Sequence, residues 1–130
     1  MKKLLKFSIL FIVITSFNLL NLVQKASAIG DVDWLLLKEN DDGKEWVDLG
    51  SIKKINNNEI SVLTKYFQNP SKVKVNGETN LYVMRINCDN REYKDISING
   101  IPSFKAKWKA SNDDELIDVV IDKSCSEIDS

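Results

Sequence analysis

At 130 residues, with 18 basic and 19 acidic side chains and a formal net charge of -1, the chain has room for one small domain and lacks the basic excess that nucleic-acid binding requires. It contains no histidine, which removes the usual general base, the commonest metal ligand and the histidine-dependent nucleophilic constellations together. Neither enzymatic activity nor a metal or other cofactor is expected.

The N-terminus reads as a secretory signal peptide over residues 1–28. Lys2, Lys3 and Lys6 flank a mostly apolar stretch from 4 to 23, and Ala26-Ser27-Ala28 supplies the small-x-small pattern for cleavage after Ala28. An uncleaved membrane anchor is the competing reading, since the stretch approaches spanning length, but Ser8, Thr15, Ser16, Asn18 and Asn21 interrupt it. No cysteine lies in the leader or at its junction, so no lipid attachment of the bacterial lipoprotein kind is expected. Cleavage leaves residues 29–130 as a single domain without a membrane span. Lys2, Lys3, Lys6 and Lys25 leave with the leader, so 14 basic residues face 19 acidic ones, a balance of -5.

In the mature part, residues 33–38 and 44–49 read as strands joined through the turn residues Asn40-Asp41-Asp42-Gly43. Gly50-Ser51 and Asn56-Asn57-Asn58 punctuate the next stretch, with a bend or helical turn at Ile52 and Ile55 between them. Residues 59–67 alternate, with Ile60, Val62 and Tyr66 on one parity, and form a third strand. A polar loop from Gln68 to Gly77 carries a short edge pairing at Val73 and Val75. Residues 79–88 give a central strand with Tyr82, Met84, Ile86 and Cys88 on one face. Residues 91–98 form the next strand, closed by the tight-turn pair Asn99-Gly100. Phe104, Ala106 and Trp108 then alternate with Lys105, Lys107 and Lys109, the pattern of a half-buried strand with its lysines in solvent.

From 112 to 125 the apolar positions Leu116, Ile117, Val120 and Ile121 share one helical stripe, with Asp114, Asp118 and Asp122 away from it. Ser111 or Asn112 serves as N-cap, Asn112 and Glu115 have capping-box spacing, and Lys123 complements the C-terminal end of the dipole. The fold class is therefore α+β: an antiparallel β-sheet of about five or six strands with a C-terminal α-helix packed on it. Cys88 and Cys125, the only cysteines, each end an apolar run, and a disulfide between them tethers helix to sheet. The alternative is two free buried thiols behaving as small apolar residues.

Chemistry-bearing patterns are sparse. Asp48, Asp95 and the helix acids are the formal candidates for paired-carboxylate catalysis, and no spacing pairs them across a cleft. Residues 39–43 group several oxygens near a glycine, yet lack the acid spacing of an EF-hand loop, and a hairpin turn is the simpler reading. Lys105, Lys107 and Lys109 can bind a polyanion such as a sulfated glycan, or can form a solvated strand face kept from edge pairing. Trp34, Trp46 and Trp108 fill a core or form a recognition surface, and the parity of Trp108 with Phe104 favours the core.

Taken in order, Trp34, Trp46-Val47-Asp48-Leu49-Gly50-Ser51-Ile52, Ile86-Asn87-Cys88-Asp89-Asn90-Arg91, and Trp108 followed by an apolar helix ending in Cys125 resemble the bacterial surface-adhesin protein E family. The marks are an aromatic-x-Asp-Leu-x-Ser-Ile segment, an x-x-Cys-x-x-Arg segment and a final cysteine, spread over nearly all of the mature domain. The resemblance implies an antiparallel sheet with a C-terminal helix tethered by a Cys88–Cys125 disulfide. It also implies a non-enzymatic exported protein located in the periplasm, at the cell surface or in the medium. Its expected partner is a protein, either a matrix protein of the kind the namesake adhesin binds or a resident envelope protein for which the chain is a structural accessory.

Overall fold

The computed structural model describes residues 31–128 except 73. The signal peptide expected over residues 1–28 and the pairing expected at Val73 lie outside the described residues. Among the described residues, eight strands form one antiparallel sheet: β1 (Trp34–Glu39), β2 (Gly43–Asp48), β3 (Lys53–Lys54), β4 (Glu59–Gln68), β5 (Glu78–Asn87), β6 (Glu92–Ile98), β7 (Ile101–Pro102) and β8 (Lys109–Ala110). The order is β1-β2-β4-β5-β6-β7, with β3 on β4 and β8 on β6. The expected five or six strands are thus exceeded, because β3, β7 and β8 are two-residue pairings too short for periodicity to reveal. Helix α1 (Glu115–Ser126) follows.

The hairpin at residues 40–42 forms as an Asx turn: the Asn40 carboxamide oxygen accepts from the Asp42 and Gly43 N–H groups at 2.9 and 3.0 Å. Asn99 and Gly100 close the β6–β7 turn with φ of 50° and 81°, the left-handed conformation that tight hairpins demand. Between β2 and β3 a 3-10 turn (Leu49–Ser51) is organised by Asp48, whose Oδ1 accepts from the N–H groups of Asp33 (2.9 Å) and Gly50 (3.1 Å). The Ser51 hydroxyl donates to the Asp48 carbonyl at 2.7 Å and accepts from the Leu63 N–H at 2.8 Å. Asp48 therefore ties three segments together rather than facing a cleft.

One face of the sheet is apolar where period two places it. Val47, Ile60, Val62, Met84 and Ile86 are buried there, and Val120 and Ile121 of α1 close over them. Cys88, one step beyond β5, bonds to Cys125 with a Cα–Cα distance of 5.8 Å. Arg91 adds an ionic clamp on the same helix, reaching Asp118 at 3.2 Å and also Asp122. The two ends of the x-x-Cys-x-x-Arg segment thus both hold α1.

Three local expectations are corrected. Asp114, not Ser111 or Asn112, is the N-cap: its Oδ1 accepts from Leu116 N–H (3.0 Å) and Ile117 N–H (3.3 Å), while Asn112 and Asp113 take left-handed φ values of 50° and 65° that hold them out of the helix. Asp114→Ala is expected to lower stability by about 1 kcal/mol, read from the urea midpoint, and no change would remove the cap assignment. Residues 103–108 are not a strand. The Ser103 N–H still donates to the Ile96 carbonyl at 2.9 Å, but the chain then leaves β6 in a turn at Phe104 and Lys105, closed by the Ala106 N–H on the Ser103 carbonyl at 3.3 Å, and Phe104 is 94% exposed. Val75 lies in a bend without strand pairing, and is exposed.

The tryptophans are not core residues either. Trp46 projects from the side of β2 opposite Val47, half-buried, where the Lys65 ammonium lies 4.4 Å from its ring centroid and 4.6 Å from that of Trp34. Trp108 is covered by Lys94 at 4.3 Å. Lysine stems and ammonium groups, not a second layer of structure, shield these rings.

Candidate binding cavity beside the helix

Helix α1 packs chiefly over β1, β2 and β4, and beside its N-terminus part of the inner face of β5 and β6 is left open. There a cavity of ≈ 790 Å³ opens between the sheet and the start of the helix. Its floor comes from the core face of the strands, with Glu45 of β2, Thr64 of β4, and Tyr82 and Met84 of β5. The walls are Tyr66, Tyr93 and the first turn of α1, including Leu116 and Ile117. Gly43 shapes one wall, since a Cβ there would stand 2.7 Å from Tyr66 Cε2 and 2.2 Å from the Phe67 carbonyl oxygen. The Tyr66 hydroxyl donates to the Asp42 carbonyl at 3.1 Å, holding the ring at the rim.

Six carboxyl groups of the described residues line this space: Asp42, Glu45, Asp95, Asp113, Asp114 and Glu115. Glu45 is the unusual one. It is 3% exposed, at a core-parity position between buried neighbours, and burial pushes its carboxyl up to about 8, a shift to which Asp114 and Asp95 contribute and which a hydrogen bond with the Thr64 side chain opposes. Lys38 stands opposite Glu45 in the β1–β2 ladder, but its ammonium pairs with Glu115 at 2.6 Å. Burial likewise raises the hydroxyls of Tyr66, Tyr82 and Tyr93 above the usual phenol value, so they are neutral donors at physiological pH.

The sequence-derived candidates distribute unevenly around this site. Asp95 lines it, with its Oδ2 accepting from Lys109 at 3.1 Å, whereas Asp48 is a buried backbone ligand elsewhere. For Lys109 burial opposes charge, yet the Asp95 hydrogen bond and its neighbours outweigh it, and its ammonium is held above the usual lysine value. Lys105 sits in the turn after Pro102 and Lys107 in irregular backbone, both exposed, so the three lysines do not form one strand face. Glu45 is not among the residues that sequence patterns single out, although it shares the parity of Val47, and that parity is the signal that could have found it. Among the described residues, no group of three or more Cys, Asp or Glu side chains is arranged to hold a metal ion, and no helix is long and apolar enough to cross a membrane.

A sequence model described as the Surface adhesin-E family matches residues 35–130, which takes in all eight strands but the first residue of β1, together with α1 and the cavity. No curated protein and no solved structure matches the chain.

Proposed function

The chain belongs to the surface adhesin-E family, and from that membership we propose that residues 29–130 act as an exported, non-enzymatic domain that captures a protein ligand in the cavity beside α1. The observation carrying this reading is that the helix leaves part of the sheet's inner face open and walls the gap with aromatic and polar groups. Ligand sites take this form, concave and aromatic-lined with a few converging polar groups. The buried Leu116 and the Lys38–Glu115 ion pair hold the first turn of α1 beside the gap, so a ligand meets a site already shaped for it. Membership in this family, rather than any feature of the lining, is what favours binding over turnover.

Site-specific photo-crosslinking in native cells and against matrix proteins tests this. A photoreactive side chain in place of Asp42, on the rim, is expected to trap one discrete protein partner that the same group at Asp122, on the far side of α1, does not trap. Equal labelling from both positions would remove the cavity from the interface. Whether the adduct forms with an external matrix protein or with a resident envelope protein decides between adhesion and an accessory role.

A further inference from the structure

We infer that the cavity recognises a basic side chain, lysine or arginine, presented by a polypeptide, and that Glu45 is the group that receives it; this deepens the binding reading above and rests on it. The first support is geometric. Six carboxyl groups border the space, while the two nearby ammonium groups are already engaged, Lys38 with Glu115 and Lys109 with Asp95. The second is Glu45 itself, almost wholly buried on the cavity floor, where the Thr64 side chain is the one hydrogen-bonding partner of its carboxyl among the described residues. A carboxylate has room for about four hydrogen bonds, so most of the capacity of Glu45 is unfilled. Tyr66 and Tyr82 add π faces and hydroxyl groups, the surroundings in which proteins hold ammonium and guanidinium groups, and the Tyr93 ring already holds one, the Lys109 ammonium at 5.1 Å from its centroid.

One feature of the fold argues for the opposite charge, because a helix N-terminus attracts anions. Here that attraction is already answered. The Asp114 carboxylate occupies the Leu116 and Ile117 N–H groups, and Asp113 and Glu115 flank it. A half-charge of dipole, about +0.5, stands against several full negative charges.

Binding then couples to a proton. In the empty cavity Glu45 is largely neutral at pH 7, its carboxyl lying at about 8. When a cation enters, the carboxyl O–H breaks, the proton leaves to solvent, and the carboxylate pairs with the arriving ammonium or guanidinium. The charged and titratable groups around Glu45 are Lys38 from β1, Asp42 from the β1–β2 turn, Tyr66 from β4, Tyr82 from β5, Tyr93 and Asp95 from β6, Asp113 and Asp114 ahead of α1 and Glu115 from its first turn. Substituting Glu45 alone identifies which of them titrates.

Calorimetry on the oxidised, exported protein uses four probes: penta-lysine, penta-arginine, the Nε-acetylated penta-lysine, and spermidine. Penta-lysine or penta-arginine is expected to bind saturably, with acetylation abolishing the signal. Affinity is expected to rise up to roughly tenfold per pH unit as pH approaches 8 from below, with proton release visible in buffers of different ionisation enthalpy. Glu45→Gln is expected to weaken binding at pH 8 by at least about 30-fold and to remove the proton release, whereas Asp122→Asn leaves both unchanged. Spermidine binding as tightly as the peptides would overturn the polypeptide assignment, and equal binding by Glu45→Gln would overturn the role of Glu45. If no cationic probe binds while the Asp42 crosslink still forms, the cation inference falls and the protein-capture reading stands.

Discussion

Replacing both Cys88 and Cys125 by alanine is expected to lower the unfolding free energy by about 4 kcal/mol, read by extrapolation of urea unfolding to water, with a steeper slope because the unlinked unfolded chain exposes more surface. The bond closes a loop with a sequence separation of 37, and the loop-entropy relation gives that magnitude for a ring of this size. Against a total of about 5–15 kcal/mol for a small domain, the loss is large. Unfolding it outright is not expected, because α1 keeps a second attachment: Leu116, Val120 and Ile121 remain buried, at roughly 1.5–3 kcal/mol each. The effect should therefore be uneven. Amide exchange is expected to accelerate most at residues 122–126, beside the lost bond, and least at 116–118, where the Asp114 cap holds the first turn. A loss under about 1 kcal/mol, or equal exchange along α1, would contradict the assignment of the bond as the anchor of the helix end.

That the two cysteines meet was legible because each lies at a position fixed by a strong period: Cys88 on the parity of Met84 and Ile86, Cys125 one helical turn beyond Ile121. The long strands were legible for the same reason, with β4 burying Ile60, Val62 and Thr64 in strict alternation. Residues 103–108 show the limit of that reasoning. Phe104, Ala106 and Trp108 alternate as cleanly as any segment in the chain, but alternation implies a strand only where a neighbour offers a ladder. Here the chain leaves β6 after the Ser103 N–H bond to the Ile96 carbonyl, turning at Phe104 and Lys105, and Trp108 finds its cover in the Lys94 ammonium instead. The cavity was hidden for a related reason. Glu45 stands between Lys44 and Trp46 and looks like one more solvated strand residue. Its burial arises only when β1, β4 and the start of α1 assemble around it, and those three are distant from one another in sequence.

A second large effect is expected at that same residue, as a pH dependence of stability in the unliganded protein. Glu45 titrates near 4.5 when unfolded and at about 8 in the fold, so the folded state holds a proton that the unfolded chain has lost over the interval between. Stability from this group is fully present below the lower value, declines as pH rises from 4.5 to 8, and is gone above that. The separation corresponds to a loss on the order of 5 kcal/mol across the window, the largest single pH effect expected among the described residues. Glu45→Gln keeps the shape and a hydrogen-bonding partner for Thr64 without ever charging, and it is expected to flatten the decline, so that urea midpoints of the variant and the parent agree near pH 5 and diverge in favour of the variant by pH 9. A parent protein whose midpoint is constant from pH 5 to 9 would remove the buried, proton-holding state of Glu45. The binding inference adds a constraint of opposite sign. A charged Glu45 weakens the empty fold but is what an incoming ammonium or guanidinium requires, so the glutamine variant should gain stability and lose cation affinity together. Gain in stability with undiminished affinity would mean that Glu45 is buried beneath the cavity rather than serving as its receiving group.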